Sequence, residues 1–235
     1  MNYKNFSYYY DSLIEPQYYD DYYKFIMKYT EGDRILELGC GTGEVAIRLV
    51  ENGKRVLATD LSEDMLNIAR EKAMERCLKL DVALVDMTDF EVNSVVDTVL
   101  ILTDAINYIT DIDSLDKVFY NVSHALKEGG TLIFDINSAY KCNVTLKDYH
   151  EVMDDEDFHF VWDVESDLNG SIVHHVVIDD LMNDEHIDET HYQITFSLDE
   201  YDRLLEKYGF NVSHYSDFEE YHDECQRVIF VCKKE

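Results

Sequence analysis

The chain holds one proline, Pro16, and only 20 lysines and arginines against 50 aspartates and glutamates, a formal charge of −30 over 235 residues. So acidic a surface repels phosphate backbones and anionic lipid. Its cations form no compensating patch, since Lys24, Lys28 and Arg34 are diluted by Asp20, Asp21, Glu31 and Asp33. Nucleic acid is therefore a disfavoured partner. Long apolar runs are missing as well. A membrane helix needs about 20 successive apolar residues, whereas the most apolar stretch, Val95 to Leu102, is interrupted by Asp97, so no span is expected. Residues 1–14 carry aromatics and acids where a secretory leader has a basic start and an apolar run, which points to the cytoplasm. The five cysteines, Cys40, Cys77, Cys142, Cys225 and Cys232, are odd in number and form no C-x-x-C pair. That pattern suits neither a disulfide framework nor a structural zinc site, and reduced thiols are expected.

A hydrophobic content of 46% over this length supports one sizeable core, or one with an elaboration. Five of the nine glycines fall in two clusters, Gly39/Gly41/Gly43 and Gly129/Gly130. Between them short apolar runs alternate with longer amphipathic ones, the pattern of β-α-β units. Strands are predicted over 34–38, 55–59, 79–85, 96–102 and 131–136, and helices over 43–52, 63–75 and 114–127. Ser62 is a suitable N-cap, and Gly53 and Gly129 stand where helix C-caps belong. After Ser138 the pattern changes to a helix over 139–149, an acid-rich stretch over 152–157, and alternating strands over 158–165, 171–179 and 187–196. Asn169-Gly170 is a hairpin-turn signal between the first two strands. Ser197 with Glu200 reads as a capping box opening a helix that closes near Gly209, and strands over 211–217 and 227–232 finish the chain. The expected architecture is a parallel α/β core, 1–138 with 198–235, carrying an antiparallel β insertion, 139–197.

The segment Ile35-Leu36-Glu37-Leu38-Gly39-Cys40-Gly41-Thr42-Gly43 is a strand running into a glycine loop and a helix, the place where α/β sheets bind ligands. Asp60, twenty-one residues after Gly39, ends the next strand at the spacing of an acid that bonds ribose hydroxyls. A nucleoside-containing ligand is implied. The glycines run G-x-G-x-G and Glu44 stands where a dinucleotide fingerprint wants glycine, which counts against NAD. Glu37 would repel a pyrophosphate, yet it suits the sulfonium and ammonium of S-adenosylmethionine.

These residues resemble the class I S-adenosylmethionine-dependent methyltransferases over nearly the whole chain. The resemblance lies in Glu37 to Gly43, in Thr59-Asp-Leu-Ser-Glu-Asp-Met-Leu66, and in Val85-Asp-Met87. It continues through Leu102-Thr-Asp-Ala-Ile-Asn-Tyr108 and Leu126 to Asn137. The chain looks most like a small bacterial group with an antiparallel insertion and unassigned substrates, and more distantly like glycine and sarcosine N-methyltransferases. The resemblance implies a Rossmann-like core with a mostly parallel seven-stranded sheet. It implies that Glu37 and the backbone of Gly39, Cys40, Gly41 and Gly43 surround the methionine moiety. Asp60 would hold the ribose, with Leu61 and Met65 near the adenine. Asp86 and the Met87 backbone would meet the adenine ring, and Leu102 and Thr103 the amino-acid end. Asp104, Asn107 and Tyr108 would face the transferred methyl, with Tyr3 and Tyr10 as a lid.

Methyl transfer from a sulfonium asks mainly for in-line approach in a dry pocket, with a base only if the nucleophile arrives protonated. Candidate bases are His191, Asp104, Tyr10 and Tyr108. His174, His175 and His191 lie on strand-like segments, but metal is not expected, because period-two alternation places His174 and His175 on opposite faces. Absences narrow the acceptor further. Enzymes that methylate adenine or glutamine amino groups carry a Pro-Pro-aromatic element where this chain reads Asp104-Ala-Ile-Asn107, and cytosine C5 enzymes use a Pro-Cys nucleophile, whereas Gln17 follows Pro16. A magnesium site of the catechol type wants adjacent Asp-Asn, and Asp135-Ile-Asn137 departs from it. The remaining expectation is a small-molecule acceptor, an amine or a carboxylic acid, with a protein substrate as a further option and with Asn107 and Arg227 as substrate contacts. Arg227 would pair a carboxylate or a neighbouring acid. A cofactor-binding sensor without turnover and a tRNA-modifying enzyme are the alternatives, and the inserted sheet is expected to cover the acceptor site or to pair two subunits.

Overall fold

The computed structural model describes residues 16–235. Its first element is helix α1 (Pro16–Tyr29), followed by β1 (Arg34–Leu38), α2 (Glu44–Glu51), β2 (Arg55–Asp60), α3 (Glu63–Glu75), β3 (Asp81–Leu84) and β4 (Val96–Ile101). A 3₁₀ turn (Ala105–Tyr108) leads to α4 (Ile112–Ala125) and β5 (Leu126–Asn137). The insertion comprises β6 (Tyr149–Asp154), β7 (Phe158–Ser166), β8 (Ser171–Asp180) and β9 (Glu185–Ile194). Helix α5 (Leu198–Lys207), β10 (Phe210–Ser216), the short β11 (Glu219–Glu220) and β12 (Arg227–Lys234) complete the chain.

The large sheet has the order β11-β10-β12-β5-β4-β1-β2-β3. Its β5-β4-β1-β2-β3 part is parallel, and β12 runs antiparallel between β5 and β10. The seven expected strands are present, with the two-residue β11 added at the edge. Strands buried on both faces read as nearly unbroken apolar runs, and β1 and β4 do so. One side of the sheet is packed by α4 and α5 through Leu115, Phe119, Tyr201 and Leu205, and the other by α1 and α2 through Tyr22, Phe25, Val45 and Leu49. Phe134 of β5 stacks on Phe230 of β12 at 4.3 Å. Burying each such ring contributes roughly 2–3 kcal/mol. Helix starts are satisfied as their sequences dictate. Ser62 accepts from the Met65 amide, Asp111 from Ser114, and Ser197 and Glu200 close a reciprocal capping box.

Several boundaries depart from expectation. Helix α1 was not foreseen; Tyr19, Tyr22, Phe25 and Ile26 bury one helical face that lies among acids and lysine in the sequence. The helix expected over 114–127 ends at Ala125, because Leu126 already pairs with Val96 and Lys127 reaches Asp97. Gly129 then sits in an irregular strand segment, not at a helix cap. The helix expected over 139–149 is a single π turn, Lys141–Thr145. Cys142 and Leu146 pull it inward against Val164 and Ile172, and Asp148 at φ +51° turns the chain into β6. Part of the acid-rich stretch is thus the edge strand β6, where Asp154 lies opposite His159. The β7–β8 connection is a four-residue loop with Leu168 and Gly170 at positive φ, wider than a two-residue Asn-Gly turn. A Cβ on Gly170 would lie 2.3 Å from the Thr195 carbonyl oxygen, so close backbone approach explains that glycine.

The four-stranded sheet, β6-β7-β8-β9, is antiparallel throughout. Period-two alternation sends Phe160, Val164, Ile172, Val176, Ile178 and Ile187 to its buried face. The opposite face carries His150–Asp163, His159–Asp154 and His186–Asp179 pairs across strands. Toward its end the buried row of β9 turns polar, with Glu189, His191 and Gln193. No helix among the described residues is long and apolar enough to cross a membrane.

Candidate active site

The glycine loop leaves β1 at the carboxyl end of the sheet and is fixed by backbone bonds to β2. Cys40 N–H donates to the Thr59 carbonyl at 2.8 Å, and Thr59 Oγ1 donates to the Glu37 carbonyl at 2.8 Å. Asp60 holds the loop from the other side, its two oxygens accepting from Gly41 N–H at 2.8 Å and Ser62 N–H at 2.9 Å. The three glycines serve different purposes. At Gly39, φ +72°, a Cβ would stand 2.7 Å from the Ala105 side chain, and at Gly43, φ +80°, 2.8 Å from that of Ala69. Those two let the loop close against the turn after β4 and against α3. At Gly41, φ +53°, a Cβ would meet nothing within 4 Å, so the space beside it is open.

That space belongs to a cavity lined by Tyr19, Glu37, Cys40, Gly41, Thr42, Glu44, Val45, Leu102 and Thr103. Glu37 is 2% exposed and its Oε2 has no hydrogen-bond partner. Burial, aided by the nearby Asp60 charge, pushes its carboxyl up to about 8. A buried acid without a donor, in an open cradle of loop backbone, fits a ligand that brings its own cation. Burial also raises Asp60, against the amides that favour its charged form. Burial and the carboxylates of Glu37 and Asp60 keep the Cys40 thiol protonated, which agrees with a backbone role for that residue.

At the far end of the cavity the chain after β4 adopts left-handed backbone at two successive non-glycine residues, Thr103 and Asp104, both at φ 54°. Such conformations cost of order 1 kcal/mol each and persist only where surroundings impose them. Here Asp104 N–H donates to Asp135 Oδ2 at 2.9 Å, and Arg227 Nη1 bridges the carboxylates of Asp104, at 2.7 Å, and Asp135, at 2.5 Å. Burial opposes the charge on Asp104, but Arg227 and Lys141 overcome it and hold its carboxyl below the usual range. Asp135, fully buried beside Asp104, is shifted upward by burial. Tyr18 of α1 places its ring 5.6 Å from the Arg227 guanidinium.

The residues expected to contact cofactor divide into two groups. Glu37, Cys40, Gly41, Leu102 and Thr103 share the cavity wall, and Asp60 backs it. Leu61, 71% exposed, and Met65 flank the outer end of β2. Asp86 is exposed and accepts from Thr88 N–H and Oγ1, while Met87 approaches Gly39 from the side of α4. Tyr19, Thr42, Glu44 and Val45 line the cavity as well, beyond the expected residues. The aromatic spacing of α1 and the first turn after the glycine loop were the signals for them.

Two expected substrate contacts are otherwise engaged. Asn107 is fully buried, donating to the Ile194 carbonyl and Thr195 Oγ1 and accepting from Asn137 N–H. It ties the 3₁₀ turn to the end of β9 and does not face an open space. Arg227 is 12% exposed at its side chain and is held by Asp104 and Asp135, the neighbouring-acid alternative of the sequence reading. Tyr108 is half exposed, its ring edge-on to His191 at 6.0 Å, and His191 Nε2 lies 3.2 Å from Glu189 Oε2. Tyr3 and Tyr10 lie outside the described residues. Among the described residues no group of three or more His, Cys, Asp or Glu side chains is arranged to hold a metal ion.

A parallel core with one antiparallel strand beside β5, a G-x-G-x-G loop, a ribose-spaced acid and an unpaired buried carboxylate define a class I methyltransferase scaffold. Comparison with known proteins gives the same result. A family model described as a methyltransferase domain matches residues 35–130. The protein named "Putative methyltransferase GWCH70_2453" of Geobacillus sp. is 35% identical over the whole of both chains. "Putative methyltransferase YqeM" of Bacillus subtilis is 33% identical over all of this chain and 98% of its own. The crystal structure of an S-adenosylmethionine-dependent methyltransferase from Clostridium acetobutylicum superposes with a TM-score of 0.88 at 27% identity, covering 100% and 99% of the two chains. The chain belongs to the S-adenosylmethionine-dependent methyltransferases, and its cofactor is S-adenosylmethionine.

Proposed function

We propose that the chain methylates a small-molecule amine, with the 139–197 insertion covering the acceptor. In this reading Glu37 and the backbone around Gly41 hold the methionine end of the cofactor, Asp60 the ribose, and Asp86 and Met87 the adenine. The bound cofactor supplies an electrophilic methyl group on a sulfonium leaving group. What the protein adds is position, dryness and control of the acceptor's proton.

The observation that carries the amine over the carboxylic acid is the charge at the acceptor end. Asp104 is held in its charged form at the mouth of β4, and the neighbouring Arg227 is already occupied by Asp104 and Asp135. Lys141 donates to Asn137 Oδ1 at 2.7 Å. A carboxylate would meet the fixed anion of Asp104 with the remaining N–H donors of Lys141 to offset it, whereas an ammonium meets a carboxylate whose oxygens, each bound by one donor, keep lone pairs to accept. An aliphatic ammonium must lose a proton before it can attack. We assign that proton to His191, which is buried beside Glu189 with its ring edge-on to Tyr108.

The test is S-adenosylhomocysteine release from S-adenosylmethionine with a panel of small primary and secondary amines and, separately, small carboxylic acids. Release with amines is the expected result, and it falls at least about tenfold in Asp104→Asn, as expected for a lost charge-assisted contact. Release with carboxylic acids alone contradicts the reading.

A further inference from the structure

Between the insertion and Asp104 runs a directional chain of hydrogen bonds. Trp162 Nε1 of β7, the chain's single tryptophan, donates to His174 Nδ1 of β8 at 3.1 Å. An indole N–H only donates, so it leaves the other ring nitrogen of a neutral His174 to carry the proton. His174 Nε2 lies 3.2 Å from Gln193 Oε1 of β9, which also accepts from Asn137 Nδ2 at 2.9 Å. With its oxygen fixed by two donors, Gln193 turns its Nε2 to Asp104 Oδ2, 2.8 Å away. Gln193 is 3% exposed, and burial lowers the pKa of His174, keeping the ring neutral as the chain requires. His191 of β9 lies directly across from His174, with Asp104 and Lys141 as the charged groups that bear on it.

Arg227 alone would satisfy Asp104 electrostatically, but it binds one oxygen and is shared with Asp135. The second oxygen is oriented from the insertion. We propose that His174 and Gln193 are positioning residues, setting the Asp104 carboxylate so that the insertion sheet determines how an amine acceptor is received. Neither residue touches the cofactor cavity. The proposal rests on the amine reading above and gives the insertion a stated part in it: three consecutive strands each supply one link. Removing a link lets the Asp104 carboxylate rotate toward Arg227 and weakens acceptor binding while the cofactor site stays intact.

The experiment uses the full chain and the variants His174→Phe, His174→Gln and Gln193→Met. In cofactor-free protein the indole N–H proton resonance of Trp162 is expected downfield and slow to exchange, and it moves upfield in His174→Phe. Calorimetric affinity for S-adenosylmethionine stays within about twofold in all three variants. With an amine that the wild type methylates, KM for the amine rises about tenfold in His174→Phe and Gln193→Met, the loss of one hydrogen bond to a charged group. His174→Gln, which can return a donor toward Gln193 Oε1, recovers most of it. An unchanged indole resonance, or an amine KM unchanged in Gln193→Met while cofactor affinity is normal, overturns the proposal alone. A wild type that binds cofactor and methylates no amine of the panel overturns the amine reading and this proposal with it. Should His174→Phe fail to fold, Gln193→Met and His174→Gln still decide the outcome.

Discussion

The proposed cofactor end and the proposed acceptor end of this site are built on different principles. At the cofactor end nearly everything comes from backbone held within one β-α-β unit: the loop from Gly39 to Gly43, tied to Thr59 and Asp60, with one buried acid left to meet a cation. At the proposed acceptor end side chains from the turn after β4 and from β5, β8, β9 and β12 meet and hold one another in place. Asp104 reaches Gln193 across 89 positions of sequence and Arg227 across 123. A short backbone motif is transferable between proteins and recognisable, whereas a long-range side-chain network belongs to one fold with one insertion.

Substitutions that sharpen the contrast differ in size. The largest effect is expected for Arg227→Met, which leaves Asp104 and Asp135 facing each other without their shared cation. Denaturant unfolding should show a loss of about 3–5 kcal/mol, and replacing Asp135 by asparagine in the same chain should restore part of it. A loss below about 1 kcal/mol would mean that the acceptor end is not held by this charge network. Next come the glycines. Gly39→Ala drives a methyl against Ala105 at positive φ and should lower stability by about 2 kcal/mol. Gly41→Ala keeps most of the stability, with a cost near 1 kcal/mol from its left-handed backbone, yet should weaken S-adenosylmethionine binding at least about tenfold. Equal effects of both on stability and binding would erase the distinction between packing glycines and cradle glycines.

A pH experiment isolates the buried acid. Glu37 is protonated in the free protein below about 8, while a cation bound beside it favours the carboxylate. Binding of S-adenosylmethionine at pH 7 should therefore release a proton, visible as a dependence of calorimetric heat on buffer ionisation. Affinity should tighten by up to about tenfold per pH unit between pH 6 and 8. For the free protein the sign is opposite. A raised folded pKa means that the contribution of Glu37 to stability is fully present below the unfolded value and is lost as pH rises through about 8. Glu37→Gln should flatten that slope and remove the proton release. The smallest effect is that of Ser197→Ala, which opens the capping box of α5 and should cost about 1 kcal/mol without altering cofactor affinity.

The parallel core was legible because its signals are local. Apolar strands, the Ser62 and Ser197 caps and the glycine loop each lie within a few residues of what they determine, and Asp60 follows the loop at a fixed distance. Where partners are distant, the local signal misled. Residues 139–149 have helical composition, but Cys142 and Leu146 are claimed by the insertion core and β6 is claimed by β7. Helix α1 is obscured because half of its buried face, Tyr19 and Tyr22, is tyrosine set among acids and lysine. Asn107 and Arg227 are expected from the sequence as substrate contacts, but the sequence does not show that Asn137, Thr195, Asp104 and Asp135 would occupy them. Gln193 and His174 carry no motif at all, and only strand register brings them to Asp104.

The most direct measurement is calorimetric titration of the purified protein with S-adenosylmethionine and S-adenosylhomocysteine, alongside Asp60→Ala. Micromolar binding of both ligands by the wild type is expected, with a loss of at least about tenfold in the variant, the worth of hydrogen bonds donated by two hydroxyls to a carboxylate. Undetectable binding of both ligands, or equal affinity in Asp60→Ala, would contradict the placement of the cofactor in the glycine loop.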